Sequence, residues 1–350
     1  MKILFHLGHP AHFHLFKNTI HSLSNNGHKI YILIKKKDIL EELLRESGLD
    51  YINILPEGRK DSKFGIAVGQ LKQTAKLLKY CLKHRPDVLI GSTPSVAQVG
   101  RLINKPSISL SEDDASEVSL FAKTTYPFTT VILSPDSCNN GKWNKKTVNY
   151  NSYHELAYLH PNHFIPNKSI VEKYLPKDEN YFLIRFSSLN AYHDAGISGI
   201  NTKIAKKIVE QLQPHGKVLI TSERKLSSDL EKFRINVNPK DIHHFLAFAK
   251  LYIGDSQTMA AEAGVLGTPF IRVNDFVGRL GYLEELEKKY DLGWGIKPMK
   301  INTIYENIQY ILDMPDSENE WQRKKEIMLN DKIDFSQFLT NYIVSNNYNV

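Results

Sequence analysis

Short apolar runs separated by amphipathic stretches set the pattern of this chain. Lys2–Leu7, Lys29–Ile34, Asp87–Gly91 and Lys105–Leu110 are apolar almost throughout, as strands buried on both faces of a parallel sheet must be. Between them the apolar period lengthens, predicting helices at about Leu15–Asn26, after Asp38 through Glu46, Phe64–His84, Ser95–Leu102 and Ala115–Lys123. Tyr51–Leu55 reads as a short strand and Thr130–Leu133 as the last strand of this half. From Tyr153 to Glu179 the texture changes: Pro161, Pro166 and Pro176 interrupt any long element. The alternation then restarts with strands Tyr181–Phe186, Lys217–Thr221, Leu251–Ile253 and Phe270–Val273. Helices are expected at Asn201–Gln213, Asp241–Lys250, Leu283–Tyr290, Ile304–Asp313 and Asn319–Asn330. The fold class is therefore α/β, with two doubly wound Rossmann-like domains facing across a cleft. The expected organisation is a first domain at 1–155, a connector at 156–180 and a second domain at 181–350. The late helices are free to pack back on the first domain. No residue-level internal repeat stands out.

Composition narrows the class. The chain has 350 residues, 41% hydrophobic and 24% charged, ordinary values for a globular protein with room for two domains. The two cysteines, Cys81 and Cys138, form no CxxC and are compatible with a reducing compartment. The start of the chain, interrupted by His6, Gly8 and His9, does not read as a signal peptide, and no run is long enough to span a membrane. A cytoplasmic protein is expected, with peripheral contact to the inner face of the membrane left open. The net charge of +7 fits an anionic small substrate or an anionic membrane surface. No zinc-ligand spacing, RNA-binding aromatic signature or basic tail supports a nucleic-acid partner.

The most informative stretch is Gly254-Asp255-Ser256-Gln257-Thr258-Met259-Ala260-Ala261-Glu262. It follows a strand and reads as a helix capped by Ser256 or Asp255, ending at Gly267 before Pro269. A helix start among small residues presents free N–H groups and the positive end of the dipole to an anion such as a phosphate. Glu262 lies about one turn further in, within reach of a hydroxyl pair, and the combination suggests a nucleotide sugar. Alternatively, Asp255 and Ser256 are caps only and Glu262 is a solvated helix residue. Arg185, at the carboxyl end of an apolar strand, can pair with a diphosphate or with a nearby carboxylate such as Asp194. His193-Asp194 could form an acid–base pair.

The first loop holds His9, His12 and His14 just after His6. Its spacing matches no helix-based zinc pair, and no metal is expected. His9 or His12 could act as general base, whereas His6 reads as a core histidine. Ser111-Glu112-Asp113-Asp114 follows another strand, making Glu112 or Asp113 the alternative base and Asp114 a helix cap. On the long helix Lys72, Lys76, Lys79 and Lys83 form one stripe, and Leu71, Ala75, Leu78 and Leu82 another. This is either a core face with a solvated face or a basic amphipathic helix for an anionic membrane.

These pieces resemble the GT-B superfamily of nucleotide-sugar enzymes. Within it they most resemble an archaeal and bacterial family of unknown function, related to GT-B glycosyltransferases and nucleotide-sugar 2-epimerases. The resemblance covers nearly the whole chain. It rests on Gly8-His9-Pro10-Ala11-His12, Ala157-Tyr158-Leu159-His160-Pro161, Arg185-Phe186-Ser187-Ser188 with His193-Asp194, and the Gly254–Glu262 motif. It implies that Arg185, Ser187, His193, Asp255, Ser256, Gln257 and Thr258 bind the donor diphosphate and that Glu262 takes the ribose. The nucleotide-diphosphate sugar would be substrate, with no cofactor. Non-hydrolysing 2-epimerases share the fold, and Glu112 matches one of their glutamates. Where they carry an aspartate after the fourth strand, however, this chain has Ser92. Their arginine after that glutamate and their paired glycine at Gln257-Thr258 are missing too. The resemblance therefore points to a metal-independent glycosyltransferase acting on a glycan or lipid-linked acceptor in surface polysaccharide or glycoconjugate synthesis. An epimerase or hydrolase, and a non-catalytic nucleotide- or glycan-binding protein, are the alternatives.

Overall fold

A computed structural model describes residues 1–37, 39–58, 63–187 and 199–348. It divides into two compact units, Met1–Tyr158 with Ile333–Val350, and Leu159–Lys332. The stretch 156–180 is thus shared between them.

The first unit contains strands β1 (Lys2–Leu7), β2 (Lys29–Lys35), β3 (Ile52–Leu55), β4 (Val88–Ile90), β5 (Ser107–Leu110), β6 (Val131–Pro135) and β7 (Thr147–Tyr150). They form one parallel sheet in the order β3-β2-β1-β4-β5-β6-β7. The chain winds outward to β3, crosses back through helix Lys63–His84, and winds outward again from β4. The carboxyl ends of β1 and β4 are therefore the topological switch point, where adjacent loops leave in opposite directions and open a crevice. The last helix, Phe335–Ser345, packs on helix Pro10–Asn25. The Ser336 hydroxyl donates to the Ala157 carbonyl at 2.8 Å, and Asn18 Nδ2 donates to the same oxygen at 2.8 Å.

The second unit contains β8 (Tyr181–Phe186), β9 (Lys217–Ser222), β10 (Leu251–Gly254), β11 (Phe270–Val273) and β12 (Gly293–Ile296). All pairs are parallel, in the order β12-β11-β10-β8-β9, so its switch point lies between β8 and β10. With two parallel, doubly wound sheets the chain has the GT-B fold class.

Three expectations change. β7 was not among the predicted strands: Thr-Val-Asn-Tyr is short and half polar, and as an edge strand it needs burial on one side only. β12 was missed because Gly293 and Gly295 read as breakers. Gly293 is required by close approach, since a Cβ there would lie 2.5 Å from the Phe270 carbonyl oxygen, whereas one at Gly295 would press only on the Glu287 carboxylate. On helix Lys63–His84 the apolar stripe is the core face only at its edge, where Leu78 packs inward. Gln73, Leu77 and Cys81 are buried, whereas Leu71 is 70% and Leu82 62% exposed. The buried face mixes Leu77 and Cys81 with polar groups that are satisfied there: Gln70 and Gln73 donate to Ser95 Oγ at 2.7 and 3.1 Å, and Thr74 bonds the same hydroxyl at 2.9 Å.

The tightest backbone contact in the first unit is at its switch point. Gly91 has φ +155°, and a Cβ there would lie 2.7 Å from the His6 carbonyl oxygen. Gly91→Ala should therefore destabilise the protein by about 1–3 kcal/mol in urea denaturation. Gly27→Ala, at φ +79° with nothing within 4 Å, should cost only about 1 kcal/mol.

Candidate functional site

At the first unit's switch point, β1 ends in Gly8-His9-Pro10. His9 is extended and caps helix Pro10–Asn25, with Pro10 in the first turn where its missing N–H costs nothing. His9 Nδ1 accepts the Ala11 N–H at 3.2 Å, and His12 Nδ1 accepts the Gly8 N–H at 3.1 Å. With Nδ1 accepting, each neutral ring carries its hydrogen on Nε2. Each of the two expected general bases therefore has a donor at Nε2; the hydrogen bonding favours a role in holding an oxygen rather than in removing a proton. Burial, reinforced by His9, His6, Lys35 and His154, holds His12 well below the usual imidazole range, so it is neutral at pH 7. His6 is fully buried against the Thr93 hydroxyl at 3.2 Å, and burial with Lys35 nearby pushes it down to about 3. Among the described residues, no three His, Cys, Asp or Glu side chains converge to hold a metal ion.

Beyond β5 the loop carries Glu112, Asp113 and Asp114. Glu112 is tied to His154, which follows β7: its Oε1 lies 3.3 Å from His154 Nδ1, and its Oε2 accepts the His154 backbone N–H at 3.3 Å. This orients His154 so that Nδ1–H faces the carboxylate. Nε2, buried and without a partner among the described residues, is left with a lone pair. The neighbouring loop is closed by Cys138 Sγ–H on the Glu112 carbonyl at 2.8 Å. Asp113 is half-buried beside Ser111, whose hydroxyl donates to its carbonyl. Asp114 accepts the Asn139 N–H at 2.9 Å, and the helix it was expected to cap begins only at Ser119.

At the second switch point, Ser256 is the N-cap of helix Gln257–Leu266, its Oγ accepting the Met259 N–H at 3.4 Å, and Gly267 ends the helix at φ +82°. Gln257 is half-buried and Thr258 exposed at the helix start. Asp255 is not open to a ligand. Its Oδ1 accepts the Ser187 N–H and hydroxyl at 2.6 and 2.9 Å, and its Oδ2 accepts from Arg224 at 3.0 Å. It is buried, which raises its pKa while these partners oppose the rise. Asp255 and Ser187, expected at the donor site, clasp the ends of β8 and β10 together. Asn274 donates to the Asp255 carbonyl at 3.2 Å and also contacts the fully buried Arg272, which is paired with Glu287 at 2.7 Å.

Arg185 is half-buried and ion-paired with Glu223, so the carboxylate facing it among the described residues comes from the end of β9. Arg224 stacks over the Phe186 ring at 4.9 Å. Glu262 is buried, 2.9 Å from His243 Nε2 on the preceding helix Ile242–Phe248. It is a partnered core carboxylate, not a solvated helix residue. His193, Asp194 and Ser188 lie outside the described residues.

Sequence reasoning missed His154, Arg224 and His243. Each meets its partner across tens of residues, and no local spacing links them. The available signals were the residue types: a histidine at the start of the proline-rich stretch, an arginine just beyond a strand end, and a histidine in the helix before the Gly254–Glu262 motif.

The chain belongs to the family described as "Protein of unknown function (DUF354)", whose model matches residues 1–334. No curated protein matches it by sequence. Among solved structures it is similar to the UDP-GlcNAc 2-epimerase from Methanocaldococcus jannaschii, with 13% identity and a TM-score of 0.70 over 99% of each chain. It is also similar to the UDP-GlcNAc 2-epimerase from Neisseria meningitidis bound to UDP-GlcNAc, with 14% identity and a TM-score of 0.68 over 99% of this chain and 100% of that one. The spinosyn rhamnosyltransferase SpnG complexed with spinosyn aglycone is similar at 14% identity and a TM-score of 0.64, over 98% and 100%. These likenesses show the fold.

The buried neutral histidines make stability pH-dependent. His6 is held at about 3 in the folded chain but takes a proton near 6.5 when unfolded. The unfolded state therefore binds more protons between these values, and stability, full above pH 6.5, falls as the pH drops. His12 adds in the same direction. From pH 6.5 to 5, His6 alone should cost about 2 kcal/mol in urea denaturation, and His6→Gln should flatten that part of the profile.

Proposed function

We propose that this DUF354 protein is a glycosyltransferase that moves a sugar from a nucleotide-diphosphate donor to a glycan or lipid-linked acceptor in surface glycoconjugate synthesis. The observation that carries the reading is the start of helix Gln257–Leu266. It lies at the switch point of a parallel sheet, with arginines 185 and 224 beside the adjoining strand ends and Glu262 within the helix. N–H groups at Gln257 and Thr258 would meet the diphosphate, and Arg185 would exchange part of its pairing with Glu223 for phosphate oxygens. Glu262, held by His243, would take the ribose hydroxyls. As the sugar–phosphate bond breaks, the helix terminus and guanidinium groups offset the charge growing on the leaving diphosphate.

In the first unit, Glu112 and His154 supply the base. His154 Nε2 would take the acceptor hydroxyl proton while Glu112 stabilises the imidazolium that forms. The Nε2–H groups of His9 and His12 would hold oxygens of the transferred sugar or phosphate. A nucleotide-sugar 2-epimerase or hydrolase is the second reading, favoured by Glu112 and by the likeness to epimerase folds. Against it, Ser92 stands where the epimerases have an aspartate, and its hydroxyl is spent on the Leu110 carbonyl at 2.7 Å.

A thermal-shift panel of nucleoside diphosphates and their sugar conjugates should give one base whose ligands stabilise the protein. Glu262→Ala should abolish that shift; a shift left intact overturns the ribose assignment. With donor and acceptor supplied, Glu112→Gln and His154→Asn should each lower kcat by about 10²–10⁴-fold while donor affinity stays within a few-fold. Donor turnover with no acceptor present would favour the second reading. Donor binding without product from any acceptor would mark a protein that keeps the fold for binding alone.

A further inference from the structure

Helices Lys63–His84, Pro94–Leu102 and Ser119–Thr125 form a contiguous layer in the first unit, the second packing against both others. None contains an aspartate or glutamate. Among the described side chains their exposed charges are Lys72, Lys76, Lys79, Lys83, Arg101 and Lys123. On the long helix the exposed surface is two adjacent arcs: Leu71, Ala75 and Leu82 within about 40°, and the four lysines within about 60°, while Leu78 at the edge of the first packs on the core. Leu71 and Leu82 stand about 16 Å apart along the axis. The same layer exposes Leu102 (67%) and Leu120 (54%). A solvated helix face does not need leucines this exposed, and the inward face is already supplied by Leu77 and Cys81 with Gln70 and Gln73 bonded to Ser95. Among the described residues Glu57 faces Lys72 and Lys76 from outside the layer, paired with Lys76 at 3.3 Å with both side chains exposed.

We propose that this layer docks on an anionic lipid bilayer, with Leu71 and Leu82 entering the headgroup region and the lysines meeting lipid phosphates. An apolar arc flanked by a cationic one is the arrangement with which a helix lies in the plane of a charged membrane surface. No described helix is long and apolar enough to cross a membrane, so the contact is peripheral. The inference is independent of the reaction.

The test is co-sedimentation of the full chain with vesicles of phosphatidylcholine, or of phosphatidylcholine and phosphatidylglycerol at three to one. The anionic vesicles should retain the protein and the neutral ones should not, and retention should weaken as salt is raised. Lys72→Glu with Lys79→Glu should reduce retention about tenfold or more, Leu71→Ser with Leu82→Ser several-fold, and Lys72→Arg with Lys79→Arg should leave it intact. All four positions are exposed, and unchanged thermal melting would confirm that the variants fold. Soluble glycerol phosphate should not compete, because the site is a surface and not a phosphate pocket. Equal retention by both vesicles, retention by neither, or competition by glycerol phosphate overturns the proposal. So does a concentration-dependent dimer that the serine variants dissolve, which would make the occupant a second copy of the chain.

Discussion

Crowding at the two switch points governs how the rest of this structure is arranged. In each sheet a glycine at or just beyond a strand end lies against a carbonyl of the neighbouring strand: Gly91 against His6, and Gly254 against Arg185, where a Cβ would meet oxygen at 2.7 and 3.0 Å. No side chain fits there, so the two loops leave the sheet close together and then diverge. The polar groups just beyond are forced into contact and out of water. Thr93 pairs with His6, and Asp255 with Ser187 and Arg224. A buried polar group without a partner is costly, so these contacts hold the crevice in one geometry.

The two crevices differ in electrostatic character. The second unit offers a helix N-terminus and guanidinium groups, suited to developing negative charge. The first offers imidazoles kept neutral by burial and one imidazole oriented by a carboxylate, suited to moving a proton. That division follows from where desolvation is opposed. Asp255 is buried but supported by Ser187 and Arg224, whereas His6 and His12 face burial together with the positive charge of Lys35. Burial thus fixes which groups are charged as strongly as residue type does.

Much of the fold was legible. The apolar runs became β1, β2, β4, β5, β8, β10 and β11 because strands covered on both faces must be apolar along their length. Ser256 and Gly267 marked the ends of their helix because capping is local chemistry. Edge strands β7 and β12 were less visible, one half-polar and the other glycine-rich. The stripe on helix Lys63–His84 was visible as a stripe, but its direction was not. Periodicity says which residues share a face; the burial of Leu77 and Cys81 together with the hydrogen bonds of Gln70, Gln73 and Thr74 to Ser95 decides which face turns inward.

The candidate site divides along the same line. The sequence by itself determined the alternation of strands and helices, the helix start at Ser256 and the residue types clustered at strand ends, because each depends on neighbours within a few positions. Tertiary structure alone decided which partner each side chain meets: Glu112 with His154, Glu262 with His243, Asp255 with Arg224 and Arg185 with Glu223. It also decided that His9 and His12 present donors, since the N–H groups they accept fix the ring tautomer. These pairings join strand ends, loops and, for Glu262 with His243, two helices that the parallel sheets bring together, and a sheet register set by long crossovers leaves no local trace in the chain.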